Sequence, residues 1–293
     1  MATPLVGDHG ARLVTGRSFI KMSGSGNDFI FFDARVEPAG HLAEPAAIRA
    51  LCARGTGVGA DGVVFVEPSA SGAFAIRYFN SDGSLAELCG NASLCSVRLA
   101  TDLGAAPPDG FAFETGSGIL RGRLRHGEPE IDTNPVAELE PAFNEPLHRG
   151  ERRIGFAQVG VPHLVVLCDD VTEVDVETRG RFLRRLPRLR DGANVNFVSP
   201  GRAEWWLRTY ERGVEGETLA CGTGAVAAAA LLGSWGVGEE PTRLVTRSGR
   251  ALTVRSSGDG LPRRPSLSGE GRVVFSGTLA DLVIAGNDPP VDG

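Results

Sequence analysis

Apolar residues in this chain fall into two patterns with different periods. Short runs rich in Phe, Ile and Val, bounded by Gly, Asn and Asp, read as strands. Ser18 to Asp33 predicts two strands joined by a turn at Gly24-Ser-Gly, and Gly62 to Val66 and Ala73 to Asn80 predict two more. Gly110 to Arg125 predicts a hairpin, and Ile154 to Gly160, Leu164 to Leu167 and Trp205 to Arg212 predict strands further on. Helical spacing is found at Pro45 to Ala53 and at Ala92 to Leu103, where Ala92, Cys95, Leu99 and Leu103 share one stripe. Ala225 to Gly233 has no polar face, so it predicts a helix buried on all sides. Arg179 to Arg190 predicts an Arg-rich helix with a solvated face. Ile131 to Pro146 reads as a crossover, Ser256 to Gly271 as a loop, and the residues after Gly286 as a disordered tail.

The pattern repeats. Cys89-Gly-Asn and Cys221-Gly-Thr each follow a strand-like run and open a helix, 132 positions apart. Upstream, Gly26-Asn-Asp-Phe-Ile-Phe-Phe-Asp and Gly160-Val-Pro-His-Leu-Val-Val-Leu repeat at nearly the same spacing. This predicts an internal duplication into two similar halves, each giving one cysteine to a shared cleft. The halves are drawn at 1–135 with 278–293, and at 136–277. Strands joined by short turns, with one buried helix per half, predict an α+β fold rather than a doubly wound parallel sheet.

Composition narrows the chemistry. The 293 residues carry a net charge of −6, without the basic footprint of a nucleic-acid binder. No apolar run approaches membrane-spanning length. Five cysteines, at 52, 89, 95, 168 and 221, favour reduced thiols in the cytoplasm over a disulfide framework. Lys21 is the only lysine, so a Schiff-base cofactor has a single candidate anchor, and its role is expected to be structural. The five histidines are scattered without metal-ligand spacing, so neither metal nor cofactor is expected. A cysteine before a glycine turn at a helix start lies beside free N–H groups and the positive helix end, which predicts a thiol pKa lowered into the range of roughly 3.5–7.5. Cys52, Cys95 and Cys168 read as small buried hydrophobes.

Six signatures, spread in order from Ser18 to Gly277, then resemble the diaminopimelate epimerase family. They are Lys21-Met-Ser-Gly-Ser-Gly-Asn-Asp-Phe, Tyr78-Phe-Asn-Ser-Asp-Gly-Ser, Cys89-Gly-Asn, Pro162-His163, Glu211-Arg-Gly and Gly216-Glu-Thr-Leu-Ala-Cys-Gly-Thr-Gly. The resemblance implies two pseudo-symmetric α+β domains, each a curved, mostly antiparallel sheet around a central helix. It implies cofactor-independent inversion of one centre of LL-diaminopimelate to the meso form, with Cys89 and Cys221 as the catalytic pair. Asn27, Asn80, Asn194, Glu211 and Arg212 would hold the substrate, and the N–H groups of Gly90, Asn91, Gly222 and Thr223 its carboxylate. His163 and Glu211 match positions that tune the cysteines. A small amino acid is the implied partner, with a homodimer as the assembly considered.

Four positions depart from the family pattern: Gly62 stands for Gln, Val161 for Asn, Ala92 for Gly and Leu94 for Arg. Gly62 is expected to leave a space for water or a bulkier substrate, and Val161 to lose an amide. Epimerisation of another polar amino acid is therefore a second reading. A non-catalytic redox switch built on the cysteine pair is a third, and a carboxylate-base isomerase a fourth.

Overall fold

The computed structural model describes residues 12–86, 89–257 and 264–284. Eleven strands and helices make the first repeat: β1 (Arg12–Val14), β2 (Ser18–Gly24), β3 (Asn27–Asp33), α1 (Pro45–Cys52), β4 (Gly62–Glu67), β5 (Ala75–Asn80), β6 (Leu85–Ala86), α2 (Gly90–Asp102), β7 (Phe111–Thr115), β8 (Gly118–Arg125) and β9 (Glu128–Asp132). The second runs through β10 (Val136–Glu140), β11 (Glu151–Val159), β12 (Val161–Cys168), α3 (Val176–Arg184), β13 (Asn194–Pro200), β14 (Trp205–Glu211), β15 (Gly216–Thr218), α4 (Gly222–Ser234), β16 (Thr242–Thr246), β17 (Ala251–Ser257) and β18 (Arg264–Ser268). The chain then returns to the first half through β19 (Arg272–Thr278) and β20 (Leu282–Ile284).

The repeat is reproduced in strand pairing. In each half a hairpin, β2–β3 or β11–β12, leads into a parallel pair, β3–β4 or β12–β13. An antiparallel pair follows, β4–β5 or β13–β14, then a second parallel step, β5–β7 or β14–β16. Phe29 faces Gly62 and Val64 faces Tyr78 in the first half, while His163 faces Asn194 and Asn196 faces Thr209 in the second. Phe29 is thus equivalent to His163, Gly62 to Asn194, Tyr78 to Thr209 and Asn80 to Glu211. The two halves join edge to edge where β9 pairs antiparallel with β18, Asp132 opposite Ser266.

Each half of the sheet curls around one helix. α2 packs on β2, β8, β9 and β19, and α4 on β10 to β13, β17 and β18. Residues 224 to 232 of α4 are buried without exception, as its unbroken apolar sequence requires. α2 buries three polar residues as well, Asn91, Ser93 and Ser96, with Ser96 turning its hydroxyl back onto the Ala92 carbonyl at 2.7 Å. Since β19 pairs with β2 and packs on α2, we propose that the halves divide near Pro135 and again before Arg272, ahead of the boundary drawn at 278.

Three expectations change. Ser256 to Gly271 is not loop throughout: Arg264–Ser268 is a strand held between β17 and β9, its Ser266 and Ser268 buried by the junction of the halves. Ile131 to Pro146 contains the end of β9 and all of β10. The Arg-rich helix spans Val176–Arg184, starting at an Asp175 cap that accepts from the Thr178 N–H and ending before Pro187. Nor is its whole arginine face solvated, because Arg179 is buried and paired with Glu151 at 2.8 Å. The expected tail after Gly286 lies outside the described residues. No helix among the described residues is long and apolar enough to cross a membrane.

Candidate active site

Cys89 and Cys221 are the N-caps of α2 and α4, at nearly identical dihedrals (φ −134°, ψ 119° and φ −131°, ψ 113°). Neither uses its side chain to cap, and neither first turn holds an acidic residue, so both sets of leading N–H groups remain available. The helix starts meet head to head. A Cβ on Gly90 would lie 3.9 Å from the Gly222 Cα, and one on Gly222 would lie 3.8 Å from the Gly90 Cα. Two positive helix ends brought this close repel each other and attract an anion between them.

The cavity in front of this junction has a volume of about 320 Å³. Nine residues singled out in the sequence line it: Cys89, Cys221, Asn27, Asn80, Gly90, Asn91, Glu211, Gly222 and Thr223. Leu267 of β18 closes its floor against both glycines. A larger cavity of about 780 Å³ lies against α3, where the Glu151–Arg179 pair is already satisfied and no cysteine is present.

A carboxylate anchors the first-half wall. Asp61 accepts from Asn27 Nδ2 at 3.0 Å, and the carbonyl end of that amide accepts from Asn91 Nδ2 at 2.7 Å. Arg54 bridges Asp61 to Asp28, which also holds Lys21 at 2.7 Å. Because a carboxylate only accepts, it fixes the sense of both amides in the chain. Lys21 is thus a buried structural cation.

The second-half wall is built differently. Asn196 bonds the His163 ring at 3.2 Å and accepts from Thr209 at 3.0 Å, a buried polar cluster where the first half has Phe29, Val64 and Tyr78. Burial, with Arg212 nearby, pushes His163 down to about 3, so its ring is neutral. His163, Asn194 and Arg212 do not line the cavity. Asn194 accepts from the Arg212 N–H at 2.8 Å, and the Arg212 guanidinium rests on the Asp191 carbonyl. Glu211 does line it; burial raises its carboxyl, and no ion pair holds it among the described residues.

The thiols differ from expectation. Burial pushes Cys89 up to about 11, outweighing the Ala92 and Asn91 N–H groups that favour its thiolate. Burial and then the Glu211 charge push Cys221 up to about 12, against the Thr223 hydroxyl and the Gly224 N–H. Helix-end stabilisation is present at both sites but smaller than the cost of removing sulfur from water. The space expected beside Gly62 is also filled. A Cβ there would lie 2.5 Å from the Tyr78 ring and 2.5 Å from the Phe79 carbonyl. Sequence reasoning did not single out Tyr78, Asn134, Val214 or Thr218, which also line the cavity. Tyr78 could have been found from the alternation of β5, since it lies two residues before Asn80 and so faces the same side. Asn134 could not, because it is placed by the joining of the halves.

The family model for diaminopimelate epimerase matches residues 19–137 and 155–263. The chain is 47% identical to the diaminopimelate epimerase of Gemmatimonas aurantiaca over 90% of its own length and 100% of the relative's. It is 38% identical to that of Aquifex aeolicus, over 91% and 99%. Among solved structures, a phenazine biosynthesis protein of the PhzF family from Bacillus anthracis superposes with a TM-score of 0.71 at 14% identity, covering 90% of this chain and 99% of that one. A probable proline racemase from Agrobacterium radiobacter gives 0.63 at 17%, covering 90% and 93%. These distant likenesses concern the fold alone. The sequence matches reach further: this chain belongs to the diaminopimelate epimerase family.

Proposed function

We propose that this protein is an isomerase that interconverts LL-2,6-diaminopimelate and its meso form, using Cys89 and Cys221 as a two-base pair. The observation that carries this reading is the meeting of α2 and α4, which sets two equivalent thiols on either side of one anion-attracting junction. One sulfur, as thiolate, takes the α-proton from one face of the substrate carbon. The thiol opposite then delivers its own proton to the other face, so the pair exchanges protonation states in each turnover. Negative charge building on the α-carboxylate is met by the N–H groups of Gly90, Asn91, Gly222 and Thr223.

Glu211, half-buried and without an ion pair among the described residues, suits an ammonium group of the substrate. Arg212 would take the distal carboxylate after leaving the Asp191 carbonyl, with Asn194 holding its backbone in place. Asn27 and Asn80 complete the first-half wall. His163, neutral and enclosed, would set the shape of the second-half floor rather than supply charge, leaving Glu211 as the group that tunes Cys221. The 47% identity to a relative called diaminopimelate epimerase supports diaminopimelate over another polar amino acid. With Tyr78 filling the place beside Gly62, the reading based on a bulkier substrate loses its premise. Free thiols at all five cysteines suit the cytoplasm, and the exposed Val273, Val274 and Phe275 of β19 suit a homodimer.

The test is solvent-deuterium incorporation at the α-carbon, followed from each stereoisomer in wild type, Cys89→Ala and Cys221→Ala. Wild type should exchange and invert, and each variant should lose inversion by at least 100-fold. Normal inversion in either variant would end the two-base reading.

A further inference from the structure

Gly62 and Tyr78 are neighbours across β4 and β5, and their second-half equivalents are Asn194 and Thr209. In the second half a side chain projects at the glycine position and a short hydroxyl residue stands diagonally across on the neighbouring strand. In the first half the arrangement is reversed. Glycine leaves the position bare, and the Tyr78 ring lies over it, with its hydroxyl 3.0 Å from where a Cβ would be. No other residue fits at 62 without displacing either that ring or the Phe79 carbonyl. The ring packs edge-on against Phe29, with centroids 5.9 Å apart, so its position is fixed by apolar contact.

Its hydroxyl is different. Tyr78 lines the cavity with Cys89, Asn27 and Asn80, and its hydroxyl makes no hydrogen bond among the described residues. A tyrosine with a buried ring normally finds a partner for its polar end. Phenylalanine would serve the packing equally well, so packing alone gives no reason for the hydroxyl.

We propose that Tyr78 is a substrate-binding residue, whose hydroxyl donates a hydrogen bond to a carboxylate oxygen of the amino-acid substrate. This rests on the functional reading above. A carboxylate is the fitting partner because burial holds the phenol protonated, leaving it a donor at neutral pH. Tyr78 and Gly62 then form one specificity unit, in which glycine makes room and tyrosine makes the contact.

Two measurements on the full chain test this. In Tyr78→Phe, KM for LL-diaminopimelate should rise about tenfold or more, the loss of one hydrogen bond to a charged group. kcat should stay within about twofold of wild type, and the pH dependence of Cys89 alkylation should not move. An unchanged KM would overturn the proposal. So would a fall in kcat with a shifted Cys89 alkylation profile, which would make the hydroxyl a partner of the thiol instead. Should the variant fail to fold, the wild type still decides. The chain has two tyrosines, and Tyr210 is fully buried away from the cavity. With 13C label at the tyrosine ζ carbon, saturating diaminopimelate should shift one of two signals, and two unmoved signals would refute the contact. Absence of turnover by wild type would bring down the functional reading itself, whereas normal wild-type turnover with an unchanged variant removes only this inference.

Discussion

The raised thiols make the rate of this enzyme a steep function of pH, and the sign follows from burial. Cys89 is pushed up to about 11 and Cys221 to about 12, so in the free enzyme both are thiols at neutral pH. The two-base reaction needs one thiolate and one thiol. At pH 7 the ionised fraction of a thiol with a pKa near 11 is roughly one in 10,000, and each unit of pH multiplies it about tenfold. The first ionisation belongs to the pair rather than to one residue. Log kcat/KM for LL-diaminopimelate should therefore climb with a slope near +1 from pH 6.5 to 8.5, without a plateau. Site-resolved alkylation of Cys89 and Cys221 by iodoacetamide, read by mass spectrometry on the free protein, should follow the same slope. A plateau before pH 8 in both measurements would refute the reasoning. It would mean that the converging helix ends outweigh burial and hold a thiolate in the empty cleft. With substrate bound, its ammonium groups add attraction for the thiolate, so kcat should depend on pH less steeply than kcat/KM.

Two further predictions concern stability. Gly155 lies against α4, where a Cβ would come 2.5 Å from Leu231 Cδ2 and 3.0 Å from the Trp235 ring; Gly155→Ala should cost about 1–3 kcal/mol by overpacking, read from urea unfolding. His163 holds a folded-state pKa of about 3 against an ordinary 6.5, so the unfolded chain takes up its proton first as pH falls. Stability should drop through the window from pH 6.5 towards 3, by about 2 kcal/mol at pH 5, and a His163→Gln protein that folds should lose that part of the acid sensitivity.

What the sequence determined by itself is local. The period of the apolar runs identified most strands and the helices α1 and α2, because burial on one face leaves a spacing that survives in the chain. α4 was legible because an all-apolar helix has only one place to go. The repeated Cys-Gly turns, with equal lead-in strands, make the duplication and the cysteine pair readable in the chain itself. β18 was not, since Arg-Pro-Ser-Leu-Ser has loop composition, and its serines are buried only because the other half of the protein lies beside them.

Tertiary structure decided the rest, and for the same reason each time: the deciding neighbour is distant in sequence. The convergence of Gly90 and Gly222 depends on two helices packed in separate halves of one sheet. The direction of the thiol pKa depends on how much water the assembled cleft excludes, which no local turn encodes; local signals argued for a thiolate, and burial outweighs them. Gly62 read alone was a missing side chain, and the fold shows it as the floor beneath Tyr78. Sequence spacing can place residues on one face of an element, but the dielectric and the empty space around them are properties of the packed whole.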